Sequence, residues 1–247
     1  MDYKKSTRTA LAECYNQYGL DILVKAARGA LADKSHSKER LFVSSFHGEI
    51  AETVLELQIK TFMQEHPKQT KNWVLAKSII LPDADNTESE FLTELDLVLF
   101  TPQQVFLFEC KSYNADKTIS GKGTLECKGK KFDVFSQNSL HAKTLQKLIT
   151  KCRTTAEPQS SGIQMILFDF ALGKTIEKRS KQAQMVMPCI NETKIEKLLS
   201  DTIKIDSVIW DMRYIEQIVE VIIRRGESLR RRHLQYVRSL HGGKRNE

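Results

Sequence analysis

Three features of the sequence predict a mixed α/β (α+β) fold. Short apolar runs rich in Val, Leu, Ile and Phe have strand length, stretches with a 3.6-residue apolar period have helix length, and turn-forming residues separate the two. Residues 1–45 read as a helical extension. Leu11, Tyr15, Leu20, Ile22, Leu23 and Ala26 recur there at helical spacing, Gly19 interrupts the run, and 34–40 form a polar link. The stretch 48–66 predicts an amphipathic helix on Ile50, Val54, Leu57 and Met63, ended by Pro67. A strand follows at 73–81, then an acidic, turn-rich loop at 82–89.

Two strands at 94–100 and 105–110, joined by Thr101-Pro102-Gln103-Gln104, predict a β-hairpin. A second hairpin is expected around Gly129, pairing 124–128 with 131–135. Ser136 reads as the N-cap of a helix reaching 153. Gly162 opens a strand at 163–170, a shorter strand at 184–187 stops at Pro188, and Asn191 caps a helix to 199. A strand at 205–210 and a long basic helix at 214–240 complete the chain. The expected organisation is therefore an extension (1–45), a core domain (46–212) and a basic C-terminal helix with its tail (213–247).

A chain of 247 residues can bury a sizeable core. Its 40% apolar and 28% charged residues are ordinary for a soluble protein. The longest apolar runs are too short for a bilayer, and MDYKKSTRTALAEC has no apolar signal region, so no membrane association and a cytoplasmic location are expected. Five scattered cysteines lack zinc-ligand spacing and read as reduced thiols. The net charge of +7 is concentrated. Between Arg224 and Arg245 lie eight Lys/Arg and one acid, Glu227. That segment fits either a polyanion-binding end or a solvated helix face.

The residues that carry chemistry lie on the first hairpin. Asp96 interrupts one apolar strand, and Glu109 interrupts the next within Phe108-Glu109-Cys110-Lys111. Acids in apolar strands are costly unless paired or metal-bound. Glu109 and Lys111 stand two apart and share a strand face. Asp96, Glu109 and the backbone carbonyl of Cys110 are oxygen donors suited to Mg²⁺ or Mn²⁺, and Lys111 could orient a bound water. The other reading is a salt bridge from Lys111 to either acid. Gly121-Lys122-Gly123-Thr124 lacks the spacing of a phosphate loop and reads as a turn.

Asp96 followed after thirteen residues by Glu109-Cys110-Lys111 resembles the Asp…Glu-X-Lys signature of the PD-(D/E)XK nucleases, with Leu95 where some members carry proline. Together with His47-Gly48-Glu49 opening a helix, Leu95-Asp96-Leu97-Val98-Leu99, and Gln137 entering a helix, it looks like the nuclease-related domain over about 46–148, and less clearly to 188. The resemblance implies a restriction-endonuclease-like core, a mixed central sheet flanked by helices. It implies Asp96 and Glu109 as metal ligands, Lys111 as the catalytic lysine and Glu49 as an accessory acid. Glu49 reads equally as a charge capping a helix N-terminus. Gln137 resembles the glutamine of the QxxxY motif in RecB-like nucleases, with His141 in place of the tyrosine. Gln137 could then contact a metal-bound water or a phosphate, and His141 reads either as a substrate contact or as a core-edge histidine.

The function these features imply is Mg²⁺-dependent (or Mn²⁺-dependent) hydrolysis of DNA, with endonuclease action expected because no helicase or clamp segment accompanies the core. Arg224, Arg225, Arg230, Arg231, Arg232 and Arg238 are the expected nucleic-acid contacts. RNA as a substrate and assembly as a homo-oligomer are left open. The contrasting reading is a non-catalytic nucleic-acid- or partner-binding module on a nuclease scaffold.

Overall fold

The computed structural model describes residues 3–32, 40–82, 92–154 and 162–242. Helices α1 (Tyr3–Tyr18), α2 (Leu20–Ala32) and α3 (Arg40–Glu65) come first. Strands β1 (Val74–Pro82), β2 (Leu92–Phe100), β3 (Val105–Tyr113), β4 (Lys117–Ile119), β5 (Leu125–Cys127) and β6 (Lys130–Phe132) follow. After them come α4 (Val134–Ile149), β7 (Ile163–Ala171), β8 (Thr175–Glu177), α5 (Lys181–Val186), β9 (Cys189–Ile190), α6 (Ile195–Thr202) and α7 (Met212–Gly242). One sheet has the order β1-β2-β3-β7-β9 and a smaller one β6-β5-β4-β8. The first is mixed: β1 and β2 are antiparallel, β7 and β9 parallel. This is the expected sheet-and-helix class, with helical segments at both ends of the chain. The loop expected at 82–89 and most of the link at 34–40 lie outside the described residues.

The chain forms two compact units, each discontinuous in sequence. Unit 1 comprises Met1–Lys71, Phe108–Gln137 and Met165–Asp206. Its α1 and α2 are tied down by interactions that an appendage would not make. Leu23, Ala27 and Leu31 of α2 are fully buried. Arg8 reaches Glu56 of α3 at 3.0 Å, Tyr15 bonds Thr61 at 2.7 Å, and Arg28 pairs with Glu192 while lying over the Phe170 ring. The core of the small sheet is Ile119, Leu125, Cys127 and Val134 with Leu167 and Met187. Gly173 permits the parallel pairing of β4 with β8, because a Cβ there would stand 2.2 Å from the Ala115 backbone.

Unit 2 comprises Asn72–Leu107, Asn138–Gln164 and Ser207–Glu247. Its core is almost wholly apolar: Ile79, Leu95, Val98, Phe100 and Val105 from the strands, Leu145 and Ile149 from α4, and Ile215, Val219 and Ile222 from α7. Their three- and four-residue spacing explains which stripe of α7 is buried. Trp210 fills the gap beside Gly162, whose φ of +67° and closeness to the indole both demand glycine.

Several local expectations need correction, among them Asn191 as a helix cap, since its side chain makes no capping bond and α6 begins only at Ile195. Helix α3 starts at Arg40, not at 48, so Glu49 lies in its third turn, where the N-terminal dipole and capping groups no longer act. Residues 184–187 fall mainly in helix α5, because the Ser180 hydroxyl accepts from Ala183 N and caps a turn there. Residues 205–210 form no strand and contribute one bridge, Trp210 to Arg153. The cap of α4 is Asp133, whose Oδ1 accepts from Ser136 N at 3.1 Å, rather than Ser136 itself. The hairpin at 94–110 and the turn at 120–124 form as expected, and a hairpin does turn at Gly129, but its second strand is 130–132 and residues 134 and 135, expected in that strand, open α4 instead.

Candidate active site

Strand β3 leaves unit 2 as a dry run and enters unit 1 at Phe108. Phe106, Leu107 and Phe108 are buried, and burial continues through Glu109 and Cys110. Glu109 is 1% exposed, an expensive place for a carboxylate. Lys111 meets it two residues on: its Nζ donates to Glu109 Oε1 at 2.5 Å while 23% of the lysine side chain reaches solvent. The pair thus joins a sealed carboxylate to an accessible ammonium, as strand alternation on one face predicts.

A second lysine–carboxylate pair lies in the same unit, and sequence reasoning missed it. Lys117 of β4 is sealed completely and its Nζ stands 2.8 Å from Asp169 Oδ1. Asp169 Oδ2 accepts from the Thr175 hydroxyl at 2.5 Å. Tyr113 lies between the two pairs electrostatically, with Lys117 Nζ 5.6 Å from its ring centroid. Burial pushes the Tyr113 phenol up to about 12, Lys111 pulls against this, and the charges of Cys127, Asp169 and Glu109 add to it. Tyr113 is therefore a neutral hydroxyl near neutral pH. Asp169 carried a signal of the same kind as Asp96 and Glu109, an acid inside the apolar run 163–170. Lys117 carried none.

Asp96 belongs to β2 in unit 2 and is half-buried between fully buried Leu95 and Leu97. The β1–β2 ladder pairs Lys77 with Leu97 and Ile79 with Leu95, which places Ser78 opposite Asp96. Ser78 is missing from the ladder and holds a left-handed φ of +48°. A non-glycine residue held so costs about 1–3 kcal/mol, and such strain gathers at functional positions. The sheet is thus interrupted at the residue that faces Asp96.

The remaining sequence candidates are placed less centrally. Glu49 is half-buried on α3 in unit 1. Gln137 is exposed on α4, whereas Asn138 and His141 are buried, the latter 4% exposed. His141 is therefore a core histidine of unit 2. Arg224, Arg225 and Arg230 are exposed on α7, and Arg224 pairs with Glu220 of the preceding turn. The side chains of Arg231, Arg232 and Arg238 lie outside the described residues.

In unit 1 Glu109 carries a carboxylate and Cys110 a backbone carbonyl, and in unit 2 Asp96 carries a carboxylate, each an oxygen donor of the kind a hard cation takes. Among the described residues no three His, Cys, Asp or Glu side chains gather into a metal-binding group. Mg²⁺ does not demand one, since it is commonly bound through one or two carboxylates, with waters and substrate phosphate completing the octahedron. No helix among the described residues is long and apolar enough to cross a membrane. A family model described as the nuclease-related domain matches residues 48–166, a span that includes Glu49, Asp96, Glu109, Lys111 and Gln137. No curated protein and no solved structure matches the chain.

Proposed function

We propose that this chain, whose residues 48–166 are a nuclease-related domain, is a divalent-metal-dependent nuclease acting on DNA, with a restriction-endonuclease-like core. One observation carries the reading most: a carboxylate almost wholly buried on β3 and paired to a solvent-reaching lysine two residues on, within that domain. An ion pair kept only for stability gains little from such burial, because desolvation offsets the attraction. A catalytic pair has a reason to sit there.

In this reading Asp96, Glu109 and the Cys110 carbonyl would hold Mg²⁺ or Mn²⁺. When bound, the cation would lower the pKa of a coordinated water and offset charge on the phosphate. Lys111, the accessible member of its pair, would orient that water and share the charge growing on the phosphoryl oxygens. Glu109 would hold the ammonium in place, and the half-buried Tyr113 phenol, pushed up to about 12 by burial, would remain protonated. Glu49 is a candidate accessory acid, Gln137 a candidate phosphate or water contact, and the arginines of α7 candidate backbone contacts.

The test is purified protein on supercoiled plasmid, linear duplex and single-stranded DNA with Mg²⁺, Mn²⁺ or EDTA. Metal-dependent cleavage is expected, with nicking of the closed plasmid as the mark of an endonuclease. Lys111→Ala should slow it by ~10²–10³ while keeping the fold. Wild-type rates from a folded Lys111→Ala protein would overturn the assignment. Metal-independent DNA binding without cleavage by the wild type would instead establish a non-catalytic module.

A further inference from the structure

Unit 1 contains an open pocket of about 730 Å³ that the proposed active site does not use. It lies where β7, β8 and β9 meet α5, and the more buried part of its lining, its floor, includes two carboxylates, Asp169 and Glu177. Each carboxylate is balanced by a buried cation. Lys117 stands 2.8 Å from Asp169, and Arg179 grips Glu177 through Nε at 2.8 Å and Nη2 at 2.7 Å. Arg179 also donates to the Met187 carbonyl at 2.8 Å, and Gln184 donates to the Arg179 carbonyl at 2.8 Å, so the strand and α5 are fastened together. The floor is consequently built in advance: acceptor oxygens held rigidly, with their charge already offset.

The mouth has different chemistry. Lys181 and Lys194 line the pocket and are exposed, adding positive charge that the floor does not need. Met185, 76% exposed, and Pro188 supply apolar surface beside them. A ligand suited to this pocket carries an anionic group for the rim, N–H or O–H donors for the carboxylate floor, and a flat apolar body for the wall. A bare anion satisfies only the first requirement, and the floor carboxylates would keep it out of the depth. The volume lies within the range of small-molecule sites and exceeds what an inorganic ion fills.

We propose that this pocket binds a nucleoside phosphate, with the phosphate at Lys181 and Lys194, donors of the base or sugar on Asp169 and Glu177, and the base against Met185 and Pro188. The same unit could come from a free nucleotide or from one nucleotide of a strand. The site stands on its own residues and requires neither metal nor cleavage.

The full chain in EDTA is titrated by calorimetry with dAMP, adenosine, inorganic phosphate and an oligo-dT strand. Saturable binding of dAMP or of the strand is expected, at least tenfold tighter than phosphate or adenosine. The double variant K181Q/K194Q should weaken it by roughly tenfold or more, the loss expected for charge-assisted hydrogen bonds. Both lysines are exposed, so its melting temperature should match the wild type. Tighter binding of the strand than of dAMP, abolished in the double variant, identifies a strand subsite. The reverse order identifies a free-nucleotide site. Equal affinity for phosphate and dAMP, an unchanged affinity in the folded double variant, or no saturable binding of any probe would overturn the proposal. Lys111→Ala should leave the binding intact, which separates this result from any failure of the nuclease reading.

Discussion

The interiors of the two units differ in what they bury. Among the described residues, the buried charged groups are Glu56, Glu109, Lys117, Asp169, Arg179 and Glu192, and all of them belong to unit 1. The buried polar groups of unit 2 are Thr101, Asn138, His141 and Thr144, with no carboxylate, lysine or arginine among them. Unit 2 is held by packing of α4 and α7 on strands, the non-directional kind of stability that tolerates neither cavities nor charge. Unit 1 holds ion pairs with at least one buried member, Lys117–Asp169 being sealed on both sides, and such pairs add little net stability but fix donors and acceptors in place. Fixed polar groups in dry surroundings are what catalysis and specific binding require. The sole acid of the proposed metal set in unit 2, Asp96, sits where the β1–β2 ladder breaks.

The contrast can be broken first at Lys117. Lys117→Met leaves Asp169 buried without its cation and should cost about 3–5 kcal/mol in urea unfolding. Adding Asp169→Leu should return most of that loss, because an apolar pair of similar volume is often no less stable. A double variant as unstable as the single one would mean that the pair is a net stabiliser. In unit 2 the matching test is Ile215→Ala on α7, expected to cost about 2–5 kcal/mol. That cost should be the same at low and high salt, unlike an electrostatic one.

A smaller effect follows from Cys189. Burial pushes its thiol up to about 12 from 9.0, with the charges of Asp169 and Glu177 adding to the shift and Lys117 and Arg179 opposing it. The unfolded chain therefore loses its thiol proton before the folded one. Stability is unaffected below pH 9 and falls as pH rises towards 12, by at most about 1.4 kcal/mol per pH unit. Cys189→Ala should make this alkaline decline shallower in melts between those limits, and an unchanged slope would contradict the shift. At Ser78, Ser78→Gly should remove the cost of the left-handed backbone and leave stability equal or higher by up to about 1 kcal/mol. The smallest effect concerns the basic helix. Replacing Arg224, Arg225 or Arg230 with Gln should flatten the slope of log K against log salt by about 0.9 on duplex DNA for each phosphate that the arginine neutralises. An unchanged slope would make the helix a bystander.

Much of this contrast was legible in the sequence. The apolar strands, the β2–β3 hairpin and α7 declared themselves through periodicity, because packing against one neighbour imposes one period. Glu109 and Lys111 were readable because a charge in an apolar strand is conspicuous. Asp169 was equally conspicuous and was overlooked, since its partner Lys117 lies in a short strand with no pattern. The start of α3 was misplaced because Gly48 looked like a beginning, whereas a helix held by tertiary packing accepts an internal glycine for about 1 kcal/mol. The 184–187 segment looked like a strand, but the Ser180 cap and the Arg179 clamp decide its state, and neither has a periodic signature.

The pairing of Arg28 with Glu192 spans 164 residues of sequence. At ribosomal rates of about 5–20 residues per second, Arg28 is made roughly 8–33 s before its partner exists. For that interval the α2 stripe of Leu23, Ala27 and Leu31 has α1 and α3 for cover but lacks its distant anchor. Helix α2 is thus made well before the distant contact that fastens it. A nascent chain stalled before residue 192 should hold α2 against α1 and α3 but without the Arg28 anchor, seen as faster proteolysis of α2 that slows once Glu192 has been made.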